Sequence, residues 1–307
     1  MRVLITGGLG FIGAWTARVL LQQGHTVRTF DVHTNHETFD AILAAATNAR
    51  NANANAARIE HIRGDITNAG DVEAAVTGCD AIVHLAAVLI PTARQDPLLG
   101  ARVNVLGTLH VFEAARKSGI RNVAYASSAA VFGPDDGVHP EPRTHYGAYK
   151  LANEGNARAY FQDAGINSVG LRPSTAYGPG REIGVTADPT LAMRAAAEGK
   201  PYTIRFTGAT GMDYVEDIAT IFARAAVETP PGAHVFSLQG QLATMEDVLQ
   251  AIHGVVPDAD INAEGPALMF AAELDEKPLH ALFPNIHRTP LPEGTRATID
   301  FYRTAQA

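Results

Sequence analysis

Short apolar runs alternate with longer, helix-like segments through the first half of the chain. Five of these runs are rich in aliphatic and β-branched residues, as buried strands are: Arg2 to Thr6, Thr26 to Phe30, Ile59 to Arg63, Ala81 to Leu85 and Asn122 to Ala126. Strands that alternate with helices at this spacing pair in parallel through right-handed crossovers. The pattern therefore predicts an α/β fold built on a doubly wound parallel sheet.

Helix signals fill the intervals between these runs. The predicted helices are Ala14 to Gln23, one or two turns within Phe39 to Ala46, Asp71 to Val76, Pro97 to Ser118, and Tyr146 to Gln162. One interval differs, because Asn48 to Ala57 is a repetitive asparagine and alanine stretch with little apolar surface to bury. We interpret it as a surface excursion.

The second half of the chain has a less regular pattern. It predicts a loop, two strands and three helices: Arg181 to Asp188 (loop), Pro189 to Gly199 (helix), Tyr202 to Phe206 and His234 to Leu238 (strands), Met245 to His253 with Thr244 as its N-cap, and Gly294 to Thr304 (helices). We expect residues 1–170 to form a nucleotide-binding domain, with returning segments near 202–238. Residues 171–201 and 239–307 would then form a smaller, mostly C-terminal α/β substrate lobe.

Composition narrows the classes of partner. With 46% apolar and 18% charged residues and a net charge of −8, the chain is an ordinary globular protein, and a nucleic-acid or anionic-membrane partner is not expected. The single cysteine, Cys79, excludes an internal disulfide, and the 12 histidines show no metal-ligand spacing. The longest apolar stretch is half a membrane span, and no signal peptide precedes the first strand. These features predict a cytoplasmic protein without a metal.

The turn after the first strand carries the first chemical signal. Its glycines fit two spacings, Gly8-x-Gly10-x-x-Gly13 and Gly7-x-x-Gly10-x-x-Gly13. Glycines let such a turn reach positive φ, approach a pyrophosphate, and pack the next helix on the strand. The N–H groups at the start of that helix, around Phe11 and Ile12, would face the phosphates.

A carboxylate after the second strand supports the interpretation of the glycine turn as a dinucleotide-binding turn. Asp31 follows the second strand, 18 residues after Gly13. A carboxylate at this position accepts hydrogen bonds from both ribose hydroxyl groups of an adenosine. It would repel a 2′-phosphate, and no arginine directly follows it. The sequence therefore predicts NAD rather than NADP as the cofactor.

Residues further along fit a flat ligand at the same edge of the sheet. Leu85, Ala86 and Ala87 end the fourth strand in mostly small side chains, which leave room for a bound ring. Asn104 lies inside a predicted helix, where propensity disfavours it, so we expect its amide to bond something specific, either backbone or water.

The candidate chemistry lies between Ser128 and Lys150. Tyr146 and Lys150 are four residues apart and share one helix face, whereas Tyr149 faces elsewhere. A nearby ammonium group favours the phenolate of a tyrosine, which is otherwise a poor base at neutral pH. With Ser128 bonding the same substrate oxygen, this trio suits removal of a proton from an alcohol while hydride leaves its carbon.

The motifs together resemble the extended short-chain dehydrogenase/reductases, and more narrowly the NAD-dependent sugar epimerase/dehydratase family. The resemblance runs from residue 1 to about 220, and its motifs are the following: Thr6 to Gly13, His84 to Ala87, Asn104-x-x-Gly107-Thr108, Ser127 to Gly133, Tyr146-x-x-x-Lys150, and Arg172-Pro173 with Tyr177 to Gly180. It implies a Rossmann-type fold, bound NAD and a sugar-like alcohol as the substrate.

The resemblance also implies roles for individual residues. Tyr146 would be the general base, Lys150 would bind the nicotinamide ribose and lower the pKa of Tyr146, and Ser128 would polarise the substrate oxygen. The other implied contacts are with the cofactor, by Gly7, Gly10, Phe11, Ile12, Gly13, Asp31, Asp65, Ile66, Leu85, Ala86, Ala87 and Asn104, and with the substrate, by Ser128, Ser174 and Tyr177.

Two departures from the family pattern narrow the substrate. Dehydratases carry an Asp-Glu pair where this chain has Ala129-Ala130, so the acid and base for loss of water are missing. Nucleotide-sugar enzymes usually carry an arginine near Thr210 to grip the diphosphate, and Arg205 is out of register. A free sugar, a sugar acid or another small alcohol therefore becomes a candidate beside a nucleotide sugar.

Two enzymatic outcomes and one non-enzymatic alternative fit these residues. An epimerase returns the hydride to the other face of the keto intermediate and keeps NAD, whereas a dehydrogenase releases the ketone or lactone and NADH. A non-catalytic NAD sensor on the same fold is the remote alternative, since such relatives typically lose the tyrosine and lysine. Helices Pro97–Ser118 and Tyr146–Gln162 resemble those that pair in family dimers, so we expect a homodimer.

Overall fold

The computed structural model describes residues 1–45 and 57–304 of the 307-residue chain. The surface excursion predicted over residues 48–57 falls outside the described residues, apart from Ala57. The chain divides into two compact units. Unit 1 comprises residues 1–128, 144–172 and 219–236, and unit 2 comprises residues 129–143, 173–218 and 237–307.

The strands are numbered here in chain order. They are β1 (Arg2–Thr6), β2 (Thr26–Asp31), β3 (Ile59–Arg63), β4 (Ala81–His84), β5 (Asn122–Ala126), β6 (Asn167–Pro173), β7 (Thr175–Tyr177), β8 (Tyr202–Ile204), β9 (Ala209–Tyr214), β10 (Ala233–Leu238), β11 (Gln241–Thr244) and β12 (Ile261–Ala263).

The helices follow the same convention. They are α1 (Phe11–Gln22), α2 (Glu37–Ala44), α3 (Ala69–Val76), α4 (Ile90–Gln95), α5 (Pro97–Ala101), a π-helix (Arg102–Leu106), α6 (Gly107–Ser118), a 3₁₀ turn (Ala129–Val131), α7 (His145–Ala164), α8 (Asp188–Glu198), α9 (Val215–Val227), α10 (Met245–His253), α11 (Lys277–Leu282) and α12 (Leu291–Thr304).

A seven-stranded sheet in the order β10-β6-β5-β4-β1-β2-β3 confirms the predicted doubly wound, Rossmann-type fold. Its interior strand β1 is apolar on both faces, because Val3, Leu4 and Ile5 are all fully buried. The chain builds outward from β1 in one direction through β2 and β3, and in the other through β4 to β6. The strand order therefore reverses between β1 and β4, and ligands of such sheets bind beyond the carboxyl ends of the strands there.

Most helices differ from their predicted extents by one to three residues at an end, and one predicted helix is divided. The first begins at Phe11, immediately after the glycine turn, rather than at Ala14. The helix predicted as continuous over Pro97–Ser118 is α5, one turn of π-helix and α6 in succession. An extra residue enters the hydrogen-bond ladder around Asn104, and residue-type periodicity does not reveal such an insertion.

Unit 2 contains two small sheets. The first has the order β11-β9-β7, with β7 parallel and β11 antiparallel to β9, and the second pairs β8 with β12 in parallel. An apolar cluster lies behind them, with Tyr177, Met193 and Met245 among its fully buried members. The N-cap predicted for α10 is confirmed, because the Thr244 hydroxyl accepts a hydrogen bond from the Asp247 N–H and the Asp247 carboxylate accepts one from the Thr244 N–H.

The division into a nucleotide-binding domain and a substrate lobe stays a prediction, and the two compact units have boundaries of their own. Residues 129–143 belong to unit 2, although they were expected in the nucleotide-binding domain. They leave the sheet after β5, and the backbone at Gly137 packs against Glu273. The segment near 202 does not return to the central sheet either, because β8 pairs with β12 instead. Of the predicted returning segments, only β10 joins the seven strands.

Cys79 is buried in the apolar core of unit 1, as the sequence predicted. Burial raises the pKa of its thiol, which suits a small core residue rather than a nucleophile. Over residues 1–45 and 57–304, no helix is both long enough and apolar enough to cross a membrane.

A Gly13→Ala substitution tests the packing of α1 on the glycine turn. A Cβ at position 13 would meet the Gly7 carbonyl oxygen and lie 2.8 Å from Gly8 Cα, so we expect a stability loss of about 1–3 kcal/mol and weaker NAD binding. Urea unfolding and NAD titration measure both effects.

The matched control is Gly155→Ala in α7. There the nearest atom to the added Cβ is 4.0 Å away, at the flexible end of Arg158, so alanine should stabilise the helix by about 0.5–1 kcal/mol. Equal effects of the two substitutions would contradict the proposed packing.

Candidate active site

The glycine turn between β1 and α1 is held by its own backbone. Gly7 has a φ of 66°, which favours glycine, and its N–H donates to the Phe30 carbonyl at 2.8 Å. The Gly10 N–H donates back to the Gly7 carbonyl at 3.1 Å. Since Gly13 packs against the same carbonyl, the spacing Gly7-x-x-Gly10-x-x-Gly13 accounts for this turn.

The start of α1 suits an anion. Its N-cap, Gly10, is exposed and extended, and the helix has neither a side-chain cap nor an acidic residue in its first turn. The backbone N–H groups and the positive end of the helix dipole therefore meet no side-chain carboxylate from the helix itself. Phe11 and Ile12 lie half-buried in this first turn. Their contact with a pyrophosphate stays a prediction.

Asp31 is a buried carboxylate beside the glycine turn. Its Oδ2 accepts a hydrogen bond from the Leu9 N–H at 3.1 Å, and its Oδ1 accepts one from the His33 N–H at 3.0 Å. Two backbone donors thus fix the carboxylate at the end of β2. A fixed carboxylate accepts ribose hydroxyls and repels a 2′-phosphate, so these residues fit NAD.

Asp65 and Ile66 follow the neighbouring strand, β3. The Asp65 Oδ1 accepts hydrogen bonds from the Thr67 N–H and hydroxyl, both at 2.8 Å, so this carboxylate holds its own turn. Ile66 is buried, and its side chain packs against Gly107 at the start of α6. Contact of these two residues with adenine stays a prediction.

A chain of buried hydrogen bonds supports the loop after β4. The Ala86 N–H lies 3.3 Å from Thr6 Oγ1, which lies 2.7 Å from His84 Nδ1. On the other side of the ring, His84 Nε2 is 2.9 Å from Thr108 Oγ1, and that hydroxyl donates to the Asn104 carbonyl at 2.8 Å.

These contacts determine which nitrogen of His84 carries the proton. Because the Thr108 hydroxyl donates to the Asn104 carbonyl, it accepts from His84 Nε2–H. The unprotonated Nδ1 then accepts from the Thr6 hydroxyl, which in turn accepts from the Ala86 N–H. Burial, with a smaller contribution from the charge of Lys150, lowers the pKa of His84 to about 3. The ring is therefore neutral near pH 7.

Asn104 completes the support of this loop. Its Oδ1 accepts from the Val88 N–H and its Nδ2 donates to the Val88 carbonyl, both at 2.9 Å. The expectation of a specific backbone partner for this buried amide is confirmed. Asn104 lies in the π-helix and bonds the backbone of Val88, the residue after Ala87. Its predicted contact with the cofactor stays a prediction.

Tyr146 and Lys150 lie one turn apart at the start of α7. Thr144 caps this helix by accepting from the Gly147 N–H at 3.0 Å. The Lys150 ammonium lies 5.5 Å from the centroid of the Tyr146 ring and donates to the Ala126 carbonyl at 2.7 Å. Burial lowers the pKa of Lys150 to about 8. Ser128 follows Ala126 by two residues. The three predicted catalytic residues, Ser128, Tyr146 and Lys150, all belong to unit 1.

Tyr149 is directed away from this group, as predicted. Its hydroxyl donates to the Pro97 carbonyl at 2.8 Å, and its ring stacks with His145 at 6.2 Å between centroids. The other nearby histidine, His139, is exposed and pairs with Asp136 at 3.1 Å.

A buried ion pair behind Ser128 was missed by sequence reasoning. Glu154 on α7 is 1% exposed, and its two carboxylate oxygens accept from Arg172 Nε at 2.7 Å and Nη2 at 2.6 Å. The Ser127 hydroxyl donates to the same carboxylate at 2.5 Å. The available signal was the spacing, because Glu154 lies four residues after Lys150 and eight after Tyr146.

The predicted substrate residues of unit 2 lie in different environments. The Ser174 N–H donates to Asp213 Oδ2 at 2.9 Å, and its half-buried hydroxyl lies 3.4 Å from Thr210 Oγ1. Tyr177 is fully buried in the apolar cluster, beside Gly294, and burial raises the pKa of its phenol. Its hydroxyl has no hydrogen-bond partner among the described residues. Substrate contact by either residue stays a prediction.

Arg205, the arginine nearest to Thr210 along the chain, forms an ion pair. Arg205 donates through Nε and Nη2 to the buried Asp188, at 2.9 and 2.5 Å. Thr210, near which the resemblance led us to expect an arginine, is buried, and its hydroxyl lies 2.8 Å from Thr175 Oγ1.

A second charged group in unit 2 was also missed. Asp213 is fully buried, 3.8 Å from Arg288 Nη1, and Arg288 pairs with Glu276 through Nη2. Burial raises the pKa of Asp213 to about 7 despite the opposing charge of Arg288. In the described part of the chain, no group of three His, Cys, Asp or Glu side chains could hold a metal ion.

A glycine turn at the switch point, a fixed carboxylate after β2 and a helix bearing Tyr146 and Lys150 define a dinucleotide-binding oxidoreductase. The sequence profile of the NAD dependent epimerase/dehydratase family matches residues 3–237. The chain belongs to this family, within the extended short-chain dehydrogenase/reductases, and it is an NAD-dependent enzyme.

Similar proteins include sugar epimerases and a steroid dehydrogenase. The UDP-glucose 4-epimerase of Mycolicibacterium smegmatis is 28% identical over 326 aligned residues, covering 99% of each chain. The structure of Thermus thermophilus UDP-glucose 4-epimerase in complex with NAD is 26% identical, with a TM-score of 0.81 over 99% of this chain and 100% of its own. Human 3 beta-hydroxysteroid dehydrogenase type 7 is 32% identical over 59% of this chain and 51% of its own length.

The neutrality of His84 predicts a pH dependence of stability. With a pKa of about 3 in the folded protein and 6.5 when unfolded, His84 binds a proton first in the unfolded state, so stability falls as pH drops below 6.5. Between pH 7.5 and pH 5 its contribution to this loss is about 2 kcal/mol.

The His84→Gln variant should be less stable at pH 7.5 but lose about 2 kcal/mol less on acidification to pH 5, measured by urea unfolding at both values. Asp213 titrates in the opposite sense but is present in both proteins, so it cancels in the comparison. Parallel pH profiles for the two proteins would show that His84 is not held neutral.

Proposed function

We propose that this protein oxidises a secondary alcohol of a sugar or sugar-like substrate, with Tyr146 as the general base and NAD as the hydride acceptor. The observation that carries the proposal is the placement of a buried Lys150 ammonium 5.5 Å from the Tyr146 ring. A positive charge at this distance favours the phenolate form of the tyrosine. Ser128, two residues after the Ala126 that Lys150 bonds, supplies a hydroxyl for the substrate oxygen in this proposal.

Each of these side chains has a distinct task in the proposed step. Tyr146 takes the proton from the substrate hydroxyl, and Ser128 donates a hydrogen bond to the same oxygen as its charge develops. Lys150 stays fixed because its ammonium also bonds the Ala126 carbonyl. Bound NAD supplies the site that accepts the hydride from the carbon.

The fate of the oxidised substrate separates two forms of this function. An epimerase returns the hydride to the opposite face, as the similarity to UDP-glucose 4-epimerases along the whole chain favours. A dehydrogenase releases the ketone or lactone together with NADH. The buried Thr210 and the engaged Arg205 favour a substrate without a diphosphate, such as a free sugar, a sugar acid or another small alcohol.

A panel assay tests the proposed function directly. Purified protein is incubated with NAD and free or nucleotide-linked sugars, while NADH absorbance and the sugar products are followed. Net NADH identifies a dehydrogenase, and an isomerised sugar without net NADH identifies an epimerase. Tyr146→Phe should lower turnover by a factor of about 100 or more, because it removes the base.

Tyr149→Phe is the matched control for that substitution. Its hydroxyl donates to the Pro97 carbonyl, so its loss should affect stability slightly and leave turnover near the parent value. Unchanged turnover in Tyr146→Phe, or a parent inactive with every alcohol although it binds NAD, would favour the non-catalytic NAD sensor.

We also propose a homodimer formed through α5, α6 and α7. Leu98 is 72% exposed on α5 and Leu106 is 48% exposed just before α6, which leaves apolar surface for a second copy. Light scattering should give twice the chain mass, and Leu98→Glu should shift the protein to monomer. Leu242→Glu, at an exposed leucine of unit 2, should remain dimeric. A monomeric parent would refute this assembly.

A further inference from the structure

The end of β5 is attached to α7 at two successive residues. Lys150 Nζ donates to the Ala126 carbonyl at 2.7 Å, and the Ser127 hydroxyl donates to Glu154 Oε1 at 2.5 Å. Lys150 and Glu154 are four residues apart, so they lie one turn apart on the same face of the helix. Tyr146 is one further turn toward the N-terminus of that face.

Glu154 is fixed from its other side by the neighbouring strand. Arg172, near the end of β6, donates to both carboxylate oxygens of Glu154, at 2.7 and 2.6 Å. The Ser127 N–H donates to the Leu171 carbonyl at 2.7 Å, immediately before Arg172. The backbone of Ser127 is therefore bonded to β6, and its side chain is bonded to α7.

We infer that Ser127 and Glu154 are positioning residues that hold Ser128 in register with Tyr146. The inference rests on the proposed function, since it concerns the geometry of the same site. Ser128 follows Ser127 directly, so a change in the Ser127 backbone moves the Ser128 hydroxyl relative to the helix that carries the base.

The burial of the group argues for positioning rather than for stability. Ser127 is 2% exposed and Glu154 is 1% exposed, and a buried ion pair of this kind is seldom more stabilising than well-packed apolar side chains. Apolar contacts, unlike hydrogen bonds, do not fix the relative orientation of the two groups. A charge-assisted O–H···O⁻ hydrogen bond is short and sets the distance between β5 and α7.

Ser127→Ala tests this role in a double-mutant cycle with Ser128→Ala. If Ser127 acts through Ser128, Ser127→Ala lowers kcat by up to about 100-fold, whereas NAD affinity stays at the parent value. The double variant is then no slower than Ser128→Ala alone, because effects on one shared element are not additive. Multiplicative effects, or an unchanged kcat in Ser127→Ala, would overturn the inference.

Ser168→Ala is the matched control. Ser168 lies on β6, is fully buried, and its hydroxyl has no hydrogen-bond partner among the described residues. The same loss of a buried hydroxyl should leave kcat unchanged there. A fall in kcat equal to that of Ser127→Ala would assign both effects to general disturbance of the sheet and would overturn the positioning role.

A stability cycle separates the hydrogen bond from the chemistry. Urea unfolding of Ser127→Ala, Glu154→Gln and the double variant measures the coupling between the two side chains without any substrate. Measurable coupling is expected, and its absence would overturn the inference whatever the activity. Coupling in a parent protein that oxidises no alcohol would instead overturn the proposed function, and with it the catalytic role of this bond.

Discussion

The buried hydrogen bond from the Lys150 ammonium to the Ala126 carbonyl is the interaction on which the site of unit 1 depends. An ammonium group removed from water needs a fixed acceptor, and the last residue of β5 provides one. Burial lowers its pKa to about 8, so the group keeps its proton near pH 7 but only by a narrow margin. The same ammonium group lies 5.5 Å from the centroid of the Tyr146 ring. One contact thus joins β5 to α7 beside Tyr146, the proposed base.

The edge of the sheet near the switch point is supported by a second set of buried polar groups. His84 is bonded through both ring nitrogens, and its low pKa keeps the ring neutral while these bonds select its tautomer. Asn104, in the π-helix, holds Val88 through both ends of its amide. Because each of these polar groups has hydrogen-bond partners, the backbone of the loop after β4 has a defined position.

The family assignment identifies the cofactor and the type of chemistry, whereas individual residues of unit 2 bear on substrate choice. Membership in the NAD dependent epimerase/dehydratase family fixes the cofactor and the type of chemistry. Substrate choice depends on side chains beyond the family motifs, and here Ala129 and Ala130 carry neither an acid nor a base. Arg205 is bound to Asp188, and Thr210 is buried with Thr175.

The sequence by itself determined the parallel strands β1 to β5, the glycine turn, the candidate carboxylate at Asp31 and the position of Tyr146 and Lys150 on one helix face. Each follows from local periodicity or spacing, which a linear pattern contains. Only the tertiary structure decided the π-helix at Asn104, the separate pairing of β8 with β12, and the Ser127–Glu154–Arg172 group. These depend on which buried donors meet which acceptors across distant segments, and no local pattern contains that information.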